Sequence, residues 1–273
     1  MAELITFNLK ELCDFRMHVA DILDKGIVEH TSTTLAIMRT LYGADDTIGQ
    51  NKVNFIETKL QNSKKNRPRL HAEILASALA FIRMKKAQSI LDIGCGEGLL
   101  IRAIAGEDYI KKIVGVDTDQ QQIKVANALA DRLKEDNSVN INIYERDITD
   151  GNLDIFANYD VITLIEVIEH IQDQNWISNV FSLNPKSLIV TTPNHDFNVL
   201  YEKENLTNGF RDPDHKFEFS QDEFCTWALK QGHTNSYTVS LLPIGPADLE
   251  HGSSGLMAIF QKNDYKIHQH DIK

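Results

Sequence analysis

Between Ser89 and Thr192, short apolar runs alternate with longer stretches in which apolar residues recur every three or four positions. A short run bounded by polar residues predicts a strand covered on both faces, and the longer periodicity predicts a helix packed along one side. The strands so predicted are Ser89 to Ile93, Lys112 to Asp117, Ile141 to Asp147, Asp160 to Glu166 and Ser187 to Thr192. Helices fall between them, near Leu99 to Ala105, Gln120 to Leu133 and Gln174 to Phe181. This alternation predicts an α/β fold, a parallel sheet with helices on both faces. After a polar loop from Asn194 to Asp214, the capping box Ser220-Gln221-Asp222-Glu223 opens a further helix carrying Phe224, Trp227 and Leu229. Two last strands, Tyr237 to Pro243 and Leu256 to Gln261, flank a loop with Gly245, Gly252 and Gly255. They are expected as an antiparallel pair at one edge of a seven-stranded sheet.

Residues 1–66 carry only helical patterns. Asn8 and Glu11 have capping-box spacing, and Leu9, Leu12, Phe15, Val19, Ile22 and Leu23 follow to a stop at Gly26. A second helix is expected from Thr33 to Tyr42, and a weaker third is carried by Val53, Ile56 and Leu60. Pro68 marks a boundary, and a helix from His71 to Met84 leads into the alternating region. The division expected is a helical extension over 1–66, the main domain over 67–265 and a tail over 266–273. The extension shows no chemistry and suits a cap over the site or a surface for a protein partner.

With 273 residues, 42% hydrophobic and 25% charged, the chain has the composition of a soluble globular protein. No apolar run approaches a membrane span and the first residues are acidic, so no membrane association and a cytoplasmic location are expected. Cys13, Cys95 and Cys225 are far apart, which indicates neither a disulfide framework nor a zinc knuckle. The net charge of −11 argues against non-specific duplex binding. It leaves room for a local basic patch, and Lys64, Lys65, Arg67 and Arg69 supply one beside the plain alternative of a solvated linker.

Two stretches carry chemistry. Asp160 to Ile171 reads DVITLIEVIEHI, an apolar strand ending in Glu166 and followed by Glu169 and His170. If the turn after Glu166 is helical, the three side chains share one side, at the strand end where open α/β sheets bind ligands. Metal ligation and a solvated helix start are both open at this point. The second stretch, Leu91-Asp92-Ile93-Gly94-Cys95-Gly96-Glu97-Gly98, passes from strand into a glycine-rich turn, with Asp117 ending the next strand. Its GxGxG spacing departs from the dinucleotide GxGxxG, and Glu97 would oppose a pyrophosphate, so a cationic ligand fits better.

The glycine loop resembles that of class I S-adenosylmethionine-dependent methyltransferases, which implies their Rossmann-like fold. The resemblance implies that Asp92, Gly94, Gly96 and Gly98 hold the methionine part of the cofactor, that Asp117 binds the ribose, and that Asp147 lies near the adenine. Three further segments narrow it: E-x-x-E-H at Glu166, Glu169 and His170; Thr192-Pro193-Asn194-His195-Asp196-Phe197-Asn198; and Arg211-Asp212-Pro213-Asp214-His215-Lys216-Phe217-Glu218-Phe219. Together they resemble the small-RNA 3'-terminal 2'-O-methyltransferases of RNA-mediated gene silencing and their bacterial relatives in RNA repair.

That resemblance implies Glu166, Glu169, His170 and His215 as ligands of a divalent metal, magnesium or manganese with cobalt as a substitute, that grips both terminal hydroxyls. The general base stays open between His170 and His215. Arg211 contacts a phosphate or orients a ligand carboxylate, with a salt bridge to Asp212 or Asp214 as the plain alternative. His195 and His233 match no ligand position and are expected on the surface. The substrate implied is a single-stranded RNA 3' end and the state a monomer. A metal-dependent methyltransferase of a small diol and a non-catalytic cofactor-binding subunit are the alternatives.

Overall fold

The computed structural model describes residues 9–25, 27, 70–136, 139–150, 153–201 and 206–262. Asn8, Gly26, the helices expected between Thr33 and Leu60, the basic patch, Pro68 and the tail lie outside the described residues.

Seven strands form one sheet in the order β3-β2-β1-β4-β5-β7-β6. They are β1 (Ser89–Ile93), β2 (Lys112–Asp117), β3 (Asn140–Glu145), β4 (Val161–Ile165), β5 (Ser187–Pro193), β6 (Tyr237–Asp248) and β7 (Gly252–Lys262). The first five are mutually parallel; β7 runs antiparallel to both β5 and β6. The helices are α1 (Leu9–Asp24), α2 (Leu70–Lys85), α3 (Leu99–Ala105), α4 (Gln120–Asp136), α5 (Ile177–Ser182) and α6 (Gln221–Asn235).

The apolar runs of the central strands, interrupted at Asp92 of β1 and Thr163 of β4, follow from burial on both faces. Ile90, Ile113, Ile141, Val161 and Ile189 face a core shared with α1, α2 and α3, while Leu91, Val114, Ile162, Leu164 and Leu188 face a second core with α5 and α6. Successive residues of a strand point to opposite faces, so a two-sided sheet favours apolar residues at every position. Phe15, Val19 and Ile22 of α1 belong to the first of these cores.

Four local expectations differ from the structure. β3 stops at Glu145, two residues short of Asp147, because Asp147 Oδ1 accepts from the Thr149 amide and hydroxyl at 2.8 and 2.7 Å and turns the chain. The stretch from Gln174 to Phe181 begins as a 3-10 turn over Gln174–Trp176 and is α-helical only from Ile177. Ser178 and Ser182 hydroxyls donate to carbonyls three residues back, at 2.8 and 2.6 Å, the competition that weakens such helices. The polar loop after β5 contains a 3-10 helix, His195–Leu200, whose Asn194 cap accepts from the Asp196 amide at 3.0 Å. Gly245 and Gly255 lie within β6 and β7 rather than in a loop, and the register shifts between Ile244 and Ala247. The capping box at α6 is present, with Glu223 Oε2 accepting from the Ser220 amide at 2.8 Å.

Candidate active site

The glycine loop lies at the carboxyl end of β1. Gly94, Gly96 and Gly98 have φ of 74, 54 and 84°, all left-handed. At Gly94 a Cβ would stand 2.4 Å from Val167 Cγ2, so the turn after β4 closes on a position only glycine can hold. The Gly94 and Cys95 amides donate to the Val116 carbonyl at 2.8 and 3.1 Å. Asp117 fixes the rest of the turn: Oδ2 accepts from the Gly96 amide at 2.8 Å, and Oδ1 accepts from the Thr118 and Asp119 amides at 2.7 and 3.0 Å. A carboxylate offers about four acceptor sites, which leaves Oδ2 able to take one ligand hydroxyl. Asp92 is buried beneath the loop and accepts from Thr163 Oγ1 at 2.7 Å. Burial pushes its carboxyl up to about 7 despite the Thr163 hydrogen bond, and the Asp117 charge adds to the rise.

Two cavities open above this loop. One, of ≈ 560 Å³, is lined by Asp92, Gly96, His71, Glu166, Arg211 and His215 among others. The other, of ≈ 730 Å³, is lined by Asp117, Asp147, Thr149 and Lys216 among others. Gly94, Gly96, Gln122, Glu166 and His170 line both, so the two form adjoining parts of one trough over the loop.

The expected helical face of Glu166, Glu169 and His170 does not form. Glu166 is left-handed, with φ 53°, and its amide donates to Thr191 Oγ1 at 3.0 Å; a 3-10 turn then spans Ile168–His170. Glu169 and His170 are nonetheless brought to His215 from the loop before α6. One ligand atom from each of the three lies within 4.8 Å of the others, and the two imidazole rings meet edge to face with centroids 4.9 Å apart. The Lys216 amide donates to the Glu169 carbonyl at 2.8 Å and ties the two segments together.

This donor set fits a divalent cation. Glu169 is fully buried, its Oε2 accepts from the Thr192 hydroxyl at 3.3 Å, and its Oε1 has no partner among the described residues. Burial raises its carboxyl well above the usual range and the Glu166 charge raises it further, an environment that a cation would relieve. Burial lowers His170, and His215 lowers it further, which favours the neutral imidazole that ligates. His215 Nδ1 is hydrogen-bonded to Glu218 Oε1 at 2.6 Å. Burial raises Glu218, but hydrogen bonds from His215, the Arg211 amide and Asn198 outweigh it and hold the carboxyl below its usual range. Two imidazoles and carboxylate oxygen suit manganese, cobalt or iron more than an all-oxygen site would.

Glu166 stands at the same wall but outside the group of three. Its Oε2 pairs with His71 Nδ1 of α2 at 3.1 Å. Burial raises its carboxyl, but the His71 hydrogen bond and charge outweigh this and keep it below the usual range. Arg211 Nη2 donates to the Ser254 carbonyl at 2.8 Å and its guanidinium lies 5.8 Å from the Tyr201 ring centroid. Among the described residues no ion pair joins it to Asp212 or Asp214, and its Nε has no partner. His195 and His233 are exposed. His71, Thr192 and Glu218 are site residues to which the sequence reading gave no role, although Thr192 opened one of its motifs. Glu218 carried a signal, standing three places after His215 in its motif, whereas His71 carried none.

Residues 63–237 match the family model described as a methyltransferase domain. The chain belongs to this family. Among similar proteins, the small RNA 2'-O-methyltransferase of Xenopus tropicalis is 30% identical over 210 residues, covering 72% of this chain and 56% of that protein. The small RNA 2'-O-methyltransferase of Arabidopsis thaliana is 29% identical over 96% of this chain and 30% of that protein. The methyltransferase thus spans about half or less of the length of these relatives. Among solved structures it resembles the methyltransferase domain of bacterial CtHen1, with TM-score 0.61 and 32% identity over 71% of this chain and 99% of that one. The small RNA methyltransferase HEN1 superposes with TM-score 0.64 and 28% identity, over 74% of this chain and 28% of that one. Among the described residues no helix of the methyltransferase is long and apolar enough to cross a membrane.

Proposed function

We propose that this methyltransferase transfers a methyl group from S-adenosylmethionine to the 2'-hydroxyl of the 3'-terminal nucleotide of a small RNA, with a divalent ion at the site. The observation that carries the proposal is the meeting of Glu169, His170 and His215, from two separate segments, beside the glycine-loop trough that His170 and His215 line. Similarity to proteins named small RNA 2'-O-methyltransferases supports the choice of substrate.

The cofactor supplies an electrophilic methyl on a sulfonium, so the protein's task is binding and orientation. Asp117 keeps an acceptor site for the ribose, Asp147 borders the cavity at the adenine end, and the left-handed glycines let the methionine part lie against the backbone. Glu169, His170 and His215 would hold the ion, and Glu166 would complete the set by releasing His71. A divalent ion in such a set acts as a Lewis acid that lowers a hydroxyl pKa and as a template that directs it. Arg211, at the wall of the first cavity with Nε unpartnered among the described residues, suits a terminal phosphate. The substrate end is single-stranded RNA, the working state a monomer in the cytoplasm, and the N-terminal region is where a protein partner would bind.

The test incubates the full chain with labelled cofactor, a divalent metal and a short RNA, beside the same RNA ending in 2'-deoxy or 3'-phosphate. Label confined to the unmodified end is expected. Label on the 2'-deoxy end, or on a catechol but on no RNA, would refute the substrate assignment.

A further inference from the structure

Glu218 lies buried beneath the site, yet no step above uses it. Its Oε1 accepts from His215 Nδ1 at 2.6 Å and from the Arg211 amide at 2.9 Å, and its Oε2 accepts from Asn198 Nδ2 at 2.5 Å. Asn198 also donates to the Gly209 carbonyl at 3.0 Å. One carboxylate therefore joins the 3-10 helix after β5 to both ends of the loop that carries His215. A buried carboxylate is costly unless its lone pairs are met, and a neutral amide could tie two loops together at less cost.

What the carboxylate adds is a requirement for donors. An ionised carboxylate only accepts, so His215 must carry its proton on Nδ1. Nε2 is then the nitrogen with a free lone pair, the form of histidine that ligates a cation while its other nitrogen is held by a carboxylate. We propose that Glu218 is a positioning residue for His215: it fixes the Nδ1–H tautomer and the ring orientation so that Nε2 joins Glu169 and His170, while Asn198 and the Arg211 amide fix Glu218 itself. Its purpose rests on the metal site proposed above, whereas the tautomer belongs to the chain alone.

Two measurements on the full chain test this. Long-range proton–nitrogen correlation spectra of histidine-labelled protein without metal report the tautomer, with the His215 signals identified by their loss in His215→Gln. Wild type and Glu218→Gln, whose side-chain carbonyl still accepts, are expected to show Nδ1–H; Glu218→Ala is expected to lose it. Manganese titration by calorimetry should find Glu218→Ala binding about 10- to 100-fold more weakly than wild type, with S-adenosylmethionine affinity unchanged. An Nε2–H tautomer in wild type, or a Glu218→Ala variant that keeps Nδ1–H and full manganese affinity, overturns the proposal. If wild type binds no manganese while the tautomer still answers to Glu218, the metal site is refuted and the positioning of His215 stands. Should Glu218→Ala fail to fold, Asn198→Ala takes its place: a mixed tautomer supports the role, and an unchanged one overturns it.

Discussion

Asp92→Asn should make the cofactor-free protein more stable, and more so as pH rises. Asp92 is buried with one hydrogen bond, from Thr163 Oγ1 at 2.7 Å, and its carboxyl is pushed from 3.8 to about 7. The folded state therefore holds this proton to higher pH than the unfolded chain. Between those two values folding takes up protons, so stability falls as pH rises, and the whole penalty is present above the folded value. The displacement corresponds to about 2 kcal/mol at pH 5 and at most about 4 kcal/mol at pH 8. Asparagine keeps the acceptor for Thr163 and cannot ionise, so it removes this penalty. Urea unfolding of both proteins at pH 5 and pH 8, without cofactor, measures the difference. A gain that is larger at pH 8 is expected, shrinking when saturating S-adenosylmethionine places its cation in the cavity that Asp92 lines. A variant no more stable than wild type at pH 8, or one with equal gains at both pH values, would refute the assignment of Asp92 as a strained buried acid.

Gly94→Ala meets Val167 Cγ2 at 2.4 Å with φ at 74°, and should cost about 1–3 kcal/mol in thermal unfolding and weaken cofactor binding in calorimetry. Glu169→Gln and His215→Ala should each abolish methyl transfer while cofactor affinity survives; retained transfer in both would remove the metal site. Chelation of divalent ions should stop transfer by wild type and be reversed by manganese. Ser220→Ala deletes the side-chain half of the capping box at α6, leaving the backbone amide at that position to donate to Glu223, and should lower stability by about 1 kcal/mol without touching transfer.

Much of the sheet was legible because its strands are buried on both sides. Ile90, Leu91, Val114 and Ile162 belong to runs that keep their apolar character on both sides of Asp92 and Thr163, and the capping box at Ser220 marks α6 unambiguously. The site was legible as a set of residues more than as a geometry. The helical face through Glu166 fails because Thr191, 25 residues on, captures the Glu166 amide and holds it left-handed, a constraint no local period encodes. His71 reaches Glu166 only because α2 is pressed against the sheet by its own apolar residues, Ile74, Leu79 and Ile82 among them. Thr192 stood both as the end of a strand and as the first residue of a motif, with no role of its own, and its hydroxyl acquires one only when β5 pairs beside β4.

The helix α1 gives the chain a border that its family match does not share. The matched segment opens at residue 63, yet Phe15, Val19 and Ile22 sit in the same oil as Ile74 and Phe81, and Arg102 of α3 reaches back to the Ile27 carbonyl at 2.6 Å. Anyone excising the catalytic portion at residue 67 for crystallisation would bare a greasy stripe on α2 and remove the carbonyl that the half-buried Arg102 guanidinium holds. Such a fragment should clump or melt early.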